Sequence, residues 1–309
     1  MSALPNTNPQ ELNRIQRWWL ACRPKTLPAA ISPVLVGWGI AFSMGRFRWG
    51  PALAAMLCAV LIQIGTNLVN DVVDFQKGTD NTNRLGPMRV TQAGLLAPGQ
   101  VWRGAGVAFG ATILAGSYLV WTGGWVVVLI GLASIAAGLL YTVGPFPLSH
   151  IGLAGLVTLI FFGFVAVGGT VYVIAGEIPP VAWLSGLGVG ALITNILVVN
   201  NIRDMETDRE AGRKNLVVWF GRDGGELQYW FLLTAAYLVP VAMAWRGWAA
   251  AWVLLAVFSI TRATGIYLEL RETPTGRGLN RILAKTAGLA LLYSFLLAVG
   301  LALGRWFMP

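Results

Sequence analysis

The sequence predicts an all-α integral membrane protein, and three observations carry that prediction. Of its 309 residues, 56% are hydrophobic and 11% charged, with a mean hydropathy of +0.66, a balance outside the range of soluble globular domains. Apolar stretches near the twenty residues that a bilayer crossing needs recur nine times along the chain. Lys and Arg are sorted to one side of those crossings, as they are in multi-pass proteins.

Taken in order, residues 1–26 form a cytoplasmic arm, in which Asn8 to Ala21 sets Leu12, Ile15, Trp18 and Trp19 at helical spacing and predicts an amphipathic surface helix. Residues 27–309 form a single nine-helix transmembrane domain. Its spans are expected at 27–44, 51–72, 103–121, 124–141, 151–175, 181–201, 227–245, 248–269 and 285–304. With the N-terminus in the cytoplasm, the inner side carries four cations in the arm and four after the second span (Lys77, Arg84, Arg89, Arg103). It carries five more after the sixth span (Arg203, Arg209, Arg213, Lys214, Arg222) and four after the eighth (Arg271, Arg277, Arg281, Lys285). The outer side has Arg46, Arg48, Arg246 and Arg305, so the split is 17 against 4, and only Arg262 lies within a span. The connection Thr142 to His150 has no Lys or Arg although it falls inside.

Trp18-Trp19, Trp121 with Trp125, and Trp245 with Trp248 fall at span ends, where interfacial anchors belong. The net charge of +9 is spread through connections rather than along one helix face, which excludes nucleic acid as the partner. Two cysteines, Cys22 and Cys58, make neither a disulfide framework nor a metal site. No cleavable signal peptide is expected, because residues 1–26 hold four cations and no adequate apolar core. Gly106 and Gly110, and Gly186, Gly188 and Gly190, follow no strand and read as close helix packing rather than a phosphate loop.

Chemistry concentrates where the second and sixth spans end. Asn70-Asp71-Val72-Val73-Asp74 and Asn200-Asn201-Ile202-Arg203-Asp204-Met205-Glu206-Thr207-Asp208 put Asn and Asp at helical spacing. An even number of crossings separates these ends, so both face the cytoplasm. Asn200, Asp204 and Asp208 follow i, i+4, i+8 on one helical face; Asn70 and Asp74 repeat the first step, with Asp71 beside them and Asp80 beyond. Carboxylates facing one another repel unless divalent cations sit between them, and an all-oxygen set suits magnesium, which binds through a few carboxylates plus substrate phosphates. Lys77, Arg84 and Arg89 flank the first stretch, and Arg203, Arg209, Arg213 and Lys214 the second, so both can neutralise remaining phosphate charge. The combination reads as a diphosphate cradle. Solvated loops with internal ion pairs are the competing reading, and two matching copies on one side weigh against it.

These residues resemble the UbiA superfamily of membrane prenyltransferases, most closely the branch that prenylates 1,4-dihydroxy-2-naphthoate. The similarity rests on Arg23-Pro24-Lys25-Thr26-Leu27-Pro28-Ala29, on Asn70-Asp71-x-x-Asp74 with Gly78 and Asp80, and on Gly86-Pro87-x-Arg89-Val90-Thr91-Gln92-x-Gly94-Leu95. It continues through Tyr141-Thr142-x-Gly144-Pro145 and Asn200-Asn201-x-Arg203-Asp204-x-Glu206-Thr207-Asp208-Arg209 to Gly212. The resemblance implies nine transmembrane helices around a central cavity open toward lipid, and magnesium-dependent transfer of a polyprenyl group from an allylic diphosphate to the naphthoate with decarboxylation. The product is then demethylmenaquinol or a phylloquinone precursor; 4-hydroxybenzoate, homogentisate or a chlorophyllide are the alternative acceptors. It implies that Asp71, Asp74, Asp204 and Asp208 are catalytic and hold magnesium and diphosphate, with Asn70, Asn200 and Asp80 as further ligands. Lys25, Arg89, Arg203, Arg209 and Lys214 become the cationic contacts, and Tyr141 a contact for the ring. Two departures stand out: Gly78 occupies the place where the pattern has an Asp, and Ala154-Gly155 the place where relatives commonly have Gly followed by an acid.

Two further residues bear on the site. His150, the only histidine, adjoins the fourth connection and reads as a hydrogen-bonded interfacial residue before it reads as a base. Arg262 is expected to face a cavity or to snorkel toward the cytoplasm. A cation-coupled transporter, the rival from another class, would place its carboxylates near the bilayer midplane, whereas these lie at span ends.

Overall fold

In the computed structural model, the described residues are 12–78, 85–144, 147, 148 and 150–306. Among them the chain is helical, and one isolated backbone bridge joins Ile151 to Lys214. Asn13 opens α1 (Arg14–Ala21) by accepting from the Gln16 amide while the Gln16 side-chain oxygen accepts from the Asn13 amide. Arg23 then takes a left-handed φ of 50°, which turns the chain through Pro24–Thr26 into α2 (Leu27–Ser43). Next come α3 (Trp49–Gln76), α4 (Pro98–Gly123) and α5 (Trp125–Leu140). α6 (Ala154–Ala175) contains a π-helical segment at Leu159–Val165. α7 (Pro180–Arg203) leads into a short α8 (Met205–Glu210), and α9 (Leu216–Trp245) bends at Gly221. α10 (Ala251–Glu272) starts as nine residues of 3-10 helix, and α11 is Leu279–Gly304.

Eight helical stretches among the described residues are long and apolar enough to cross a membrane; α5, at 16 residues, is a shorter ninth. The chain is a multi-pass membrane protein. Expected and observed spans agree closely, except that α9 and α11 start earlier than 227 and 285. Their N-terminal parts carry Arg222, Asp223 and Glu226, and Arg281 and Lys285, so the helices extend past the apolar length that hydropathy registers. For the same reason α3 has 28 residues, about 42 Å at 1.5 Å per residue, and outruns the ~30 Å hydrocarbon core. Asn70 and Asp74 lie in its last two turns.

α7 is the most enclosed of the long helices and packs against α6, α9 and α11, while α2 lies along α11 and α3 along α4. Small residues set these distances. A Cβ on Gly163 would stand 2.4 Å from the Gly186 carbonyl oxygen, and one on Gly190 2.7 Å from that of Leu159. The packing expected of Gly186, Gly188 and Gly190 is therefore found. That expected of Gly106 and Gly110 is not: nothing lies within 4 Å of either position, since they sit among the exposed Val107, Ile113 and Leu114 of α4.

The arm differs in detail from the expected amphipathic helix. Leu12 and Trp18 pack on a cluster with Leu68, Val72, Leu95 and Val101, whereas Ile15 and Trp19 are exposed. Asn8 lies outside the described residues. At the opposite end of the bundle, Trp121, Trp125, Trp245 and Trp248 are exposed, Arg46 pairs with Glu177 at 2.9 Å, and Arg48 donates to the Ile174 carbonyl at 2.7 Å. Arg262 is exposed on α10, its guanidinium beside Gly288 of α11.

Candidate active site

Each acidic stretch is tied to cations at the end of the bundle opposite these tryptophans. Asp71, 1% exposed, accepts from the Val90 amide at 3.2 Å and the Thr91 amide at 3.1 Å, with an Arg23 Nη 3.8 Å away. Both carboxylate oxygens thus fasten the loop between α3 and α4 across the end of α3. That loop carries Arg89, whose Nη1 donates to the Asn70 carbonyl and to Asp74, each at 2.6 Å. The Asn70 side chain accepts from the Thr142 hydroxyl at 2.6 Å, and Lys77 donates to the Thr142 carbonyl at 2.8 Å. The residues after α5 are thereby pinned to the first stretch.

In the second stretch, Arg203 grips Asp204 through Nε and Nη2 at 2.8 and 2.6 Å, while its Nη1 donates to Asn280 at 2.8 Å. Asn280 donates in turn to the Leu85 carbonyl at 2.9 Å, which ties α11 to the loop after α3. The expected continuous helix through Asn200, Asp204 and Asp208 breaks at Asp204, which caps α7 at φ −98°, ψ 12°. The i→i+4 backbone bonds survive the break: the Asp204 amide donates to Asn200 and the Asp208 amide to Asp204. The row of ligands therefore keeps its spacing. Asp208, 5% exposed, accepts from Arg213 at 3.1 Å and Asn215 at 3.2 Å. Burial pushes its carboxyl above the ordinary range and Asp204 adds to that, with Arg213 and Asn215 opposing.

The two stretches converge. Tyr141 is within electrostatic range of Asp74 and Arg89 from the first and of Asp208 and Arg213 from the second. It also lines a cavity of about 330 Å³ together with Asn201, Asp208, Arg213 and Asn215. His150 feels Arg213, Lys77 and Asp74; burial, then these two cations, holds its imidazole below the usual histidine range.

Of the remaining expected site residues, Asn200 is half-buried and Lys25 and Lys214 are exposed at the rim. Arg209 is exposed and paired with Glu206 at 2.9 Å, so it stands outside the buried constellation. Asp80 lies outside the described residues. Gly78 has a φ of +68° and its amide donates to the Phe75 carbonyl, so it terminates α3 in a left-handed conformation that an Asp would adopt with strain. Four contributors were absent from the expected set: Arg23, Thr142, Asn215 and Asn280, while Arg213 had been expected only as a basic neighbour of the second stretch. Asn215 could have been found from its place just after Asp208, but an isolated Asn280 on a distant helix gives no local signal.

Among the described residues, no three Asp, Glu, His or Cys side chains converge on one point. Every motif aspartate instead faces an arginine: Asp71 with Arg23, Asp74 with Arg89, Asp204 with Arg203 and Asp208 with Arg213. Hard oxygens, from two or three residues per stretch, fit magnesium in the form that draws its remaining ligands from water and phosphate. They do not form a cage that would hold the ion alone.

Comparison with known proteins shows what the chain is similar to. The chain is 32% identical to the 1,4-dihydroxy-2-naphthoate octaprenyltransferase of Escherichia coli K12, over 96% of this chain and 98% of that one. It is 34% identical to the enzyme of the same name from Mycobacterium tuberculosis, over 94% and 98%. Among solved structures, an apo UbiA homolog from Aeropyrum pernix K1 superposes with a TM-score of 0.69 at 15% identity, covering 88% of this chain and 97% of that one. A UbiA homolog from Archaeoglobus fulgidus bound to GPP and Mg2+ gives 0.65 at 14%, covering 92% and 99%. The model of the UbiA prenyltransferase family matches residues 30–278, and the chain belongs to that family.

Proposed function

We propose that the protein transfers a polyprenyl group from an allylic diphosphate to 1,4-dihydroxy-2-naphthoate with loss of carbon dioxide, giving demethylmenaquinol or a phylloquinone precursor. The observation that carries this reading is the set of four aspartate–arginine pairs closing on one end of the bundle, in a chain whose relatives prenylate that acid. Asp74, Asp204 and Asp208, helped by Asn70 and Asn200, are assigned to magnesium. Bound there with the diphosphate, the ion supplies charge neutralisation for the departing pyrophosphate. Arg89 and Arg203 stabilise the same charge, and Lys25 and Lys214 stand at the rim as outer phosphate contacts. Asp71 acts through the loop it holds.

The allylic C–O bond breaks and its electron pair leaves with pyrophosphate. The ring carbon bearing the carboxylate attacks the allylic carbon, and the C–C bond to the carboxylate then breaks, its pair restoring the aromatic ring as carbon dioxide departs. The protein's share is to hold the two reactants in line, stabilise the leaving group and keep water from the cation. The 17-to-4 split of Lys and Arg supports a site facing the cytoplasm, with the isoprenoid tail in the bilayer. The test uses purified protein, geranylgeranyl or octaprenyl diphosphate, magnesium and a panel of aromatic acids, with products read by mass spectrometry. The decarboxylated prenyl naphthoquinol is expected. Prenylation of 4-hydroxybenzoate or homogentisate alone refutes the acceptor, and no prenylated product with any acid refutes the activity.

A further inference from the structure

The cavity beside the diphosphate cradle has a mixed lining. Arg213, Asn215 and Tyr141 bring polar atoms to it, and Leu156, Leu159 and Leu232 bring apolar surface. Gly155 of α6 stands on the wall: a Cβ there would meet nothing closer than Thr194 Cγ2 at 3.8 Å and Gln228 Nε2 at 3.9 Å. The absence of a side chain at this position therefore leaves space in the cavity. At about 330 Å³ the cavity is of the size that holds one small molecule, and far too small for a long isoprenoid tail.

Its polar atoms say what kind of molecule. Arg213 spends one Nη on Asp208, while its buried Nε–H has no acceptor among the described residues. An unmet edge of a guanidinium suits a carboxylate, which it can bind with two parallel bonds. Gln228, half-buried on the wall, makes no side-chain hydrogen bond among the described residues, so a hydrocarbon chain would leave its amide unpaired where a ring hydroxyl would satisfy it.

We infer that this cavity is the acceptor subsite, with the carboxylate of a bicyclic aromatic acid on Arg213, a ring hydroxyl at Gln228, and the fused rings between Gly155 and the leucines. The inference rests on the prenyl-transfer reading, and it assigns acceptor specificity to Gly155, Arg213 and Gln228. The ring is thereby set beside Asp208 and Tyr141, at the edge of the cradle where the allylic carbon is released.

The test separates binding from turnover. The fluorescent acid 1-hydroxy-2-naphthoate is titrated into purified full-length protein with no prenyl diphosphate present, alongside 1-naphthol, which lacks the carboxylate. Gly155→Leu is expected to weaken both ligands at least about tenfold by filling the cavity, and Arg213→Gln to weaken the acid by that much while leaving 1-naphthol unchanged. The KM for prenyl diphosphate stays within about twofold in Gly155→Leu, and the melting temperature of each variant shows that it is folded. Wild-type affinity for the acid in both folded variants, or no binding by the wild type, overturns the subsite. Gly155-dependent binding without any prenylated product supports the subsite and overturns the reaction instead.

Discussion

Replacing Asp71 by Asn isolates what the first motif does with its most buried carboxylate. Its two oxygens accept from the Val90 and Thr91 amides at 3.2 and 3.1 Å at 1% exposure, with Arg23 at 3.8 Å. Asparagine offers one acceptor oxygen and turns an NH2 toward the second amide, so one charge-assisted bond becomes neutral and the other is lost. Bonds to charged groups contribute roughly 1.5–3 kcal/mol and a stranded buried donor costs about 1–3 kcal/mol, so the docked loop loses on the order of 2–4 kcal/mol. At 1.4 kcal/mol per tenfold, the docked state falls by roughly 30- to 1,000-fold relative to the open one. Arg89 travels with the loop. The KM for prenyl diphosphate therefore rises at least about tenfold, the magnesium concentration for half-maximal rate changes little, and trypsin cuts after Arg89 in the variant faster than in the wild type. An unchanged KM with an uncut loop refutes this reasoning. A large rise in the magnesium requirement with the loop still protected makes Asp71 a direct ligand instead.

Three other outcomes follow from the same structure. Asp208 has a carboxyl raised in the fold, so folding favours its protonated form more than the unfolded chain does; its contribution is present at pH below the ordinary carboxylate range and is lost as pH rises through the folded value. Thermal unfolding of Asp208→Asn should then match or exceed that of the wild type at pH 7, with the advantage shrinking toward pH 4, and a variant less stable at pH 7 but equal at pH 4 contradicts it. Gly163→Ala drives a methyl to 2.4 Å from the Gly186 carbonyl and should cost about 1–3 kcal/mol in detergent unfolding, whereas Gly106→Ala, with nothing within 4 Å, stays within about 0.5 kcal/mol. Equal melting of the two variants removes the packing argument. Loss of the ring carboxylate as carbon dioxide releases no ring proton, so the reaction needs no base at His150; His150→Gln should keep activity within about tenfold of wild type, and a loss of 100-fold or more assigns the imidazole a chemical role.

Hydropathy found the membrane-crossing segments, because lipid imposes a length that short sequence windows register. The two acidic stretches were legible because carboxylates at the ends of apolar helices have no cheap structural explanation. What stayed hidden depends on pairing across the fold. Nothing in Asn70-Asp71-x-x-Asp74 distinguishes the residue that fastens a loop through its amides from the one that pairs with Arg89, since the distinction lies in the Val90 and Thr91 amides some twenty residues on. Arg209 was expected in the site for its place in the motif, but Glu206, three residues earlier, holds it at the surface. Gly78 marks a missing ligand in the motif and a helix terminator in the structure, and only the backbone angle tells which. Asn280 joins α11 to Arg203 and to the loop after α3 from 77 and 195 residues away, beyond the reach of any local pattern.

The central claim is that the paired acidic stretches hold a diphosphate through magnesium and let it leave. Its most direct test is a stoichiometry: pyrophosphate and carboxyl-labelled carbon dioxide released per prenylated ring, with and without magnesium, in the wild type and in Asp74→Ala and Asp204→Ala of unchanged melting temperature. One of each per product is expected from the wild type with magnesium, and none from either variant or after the metal is chelated. Near wild-type release from both folded variants contradicts the claim.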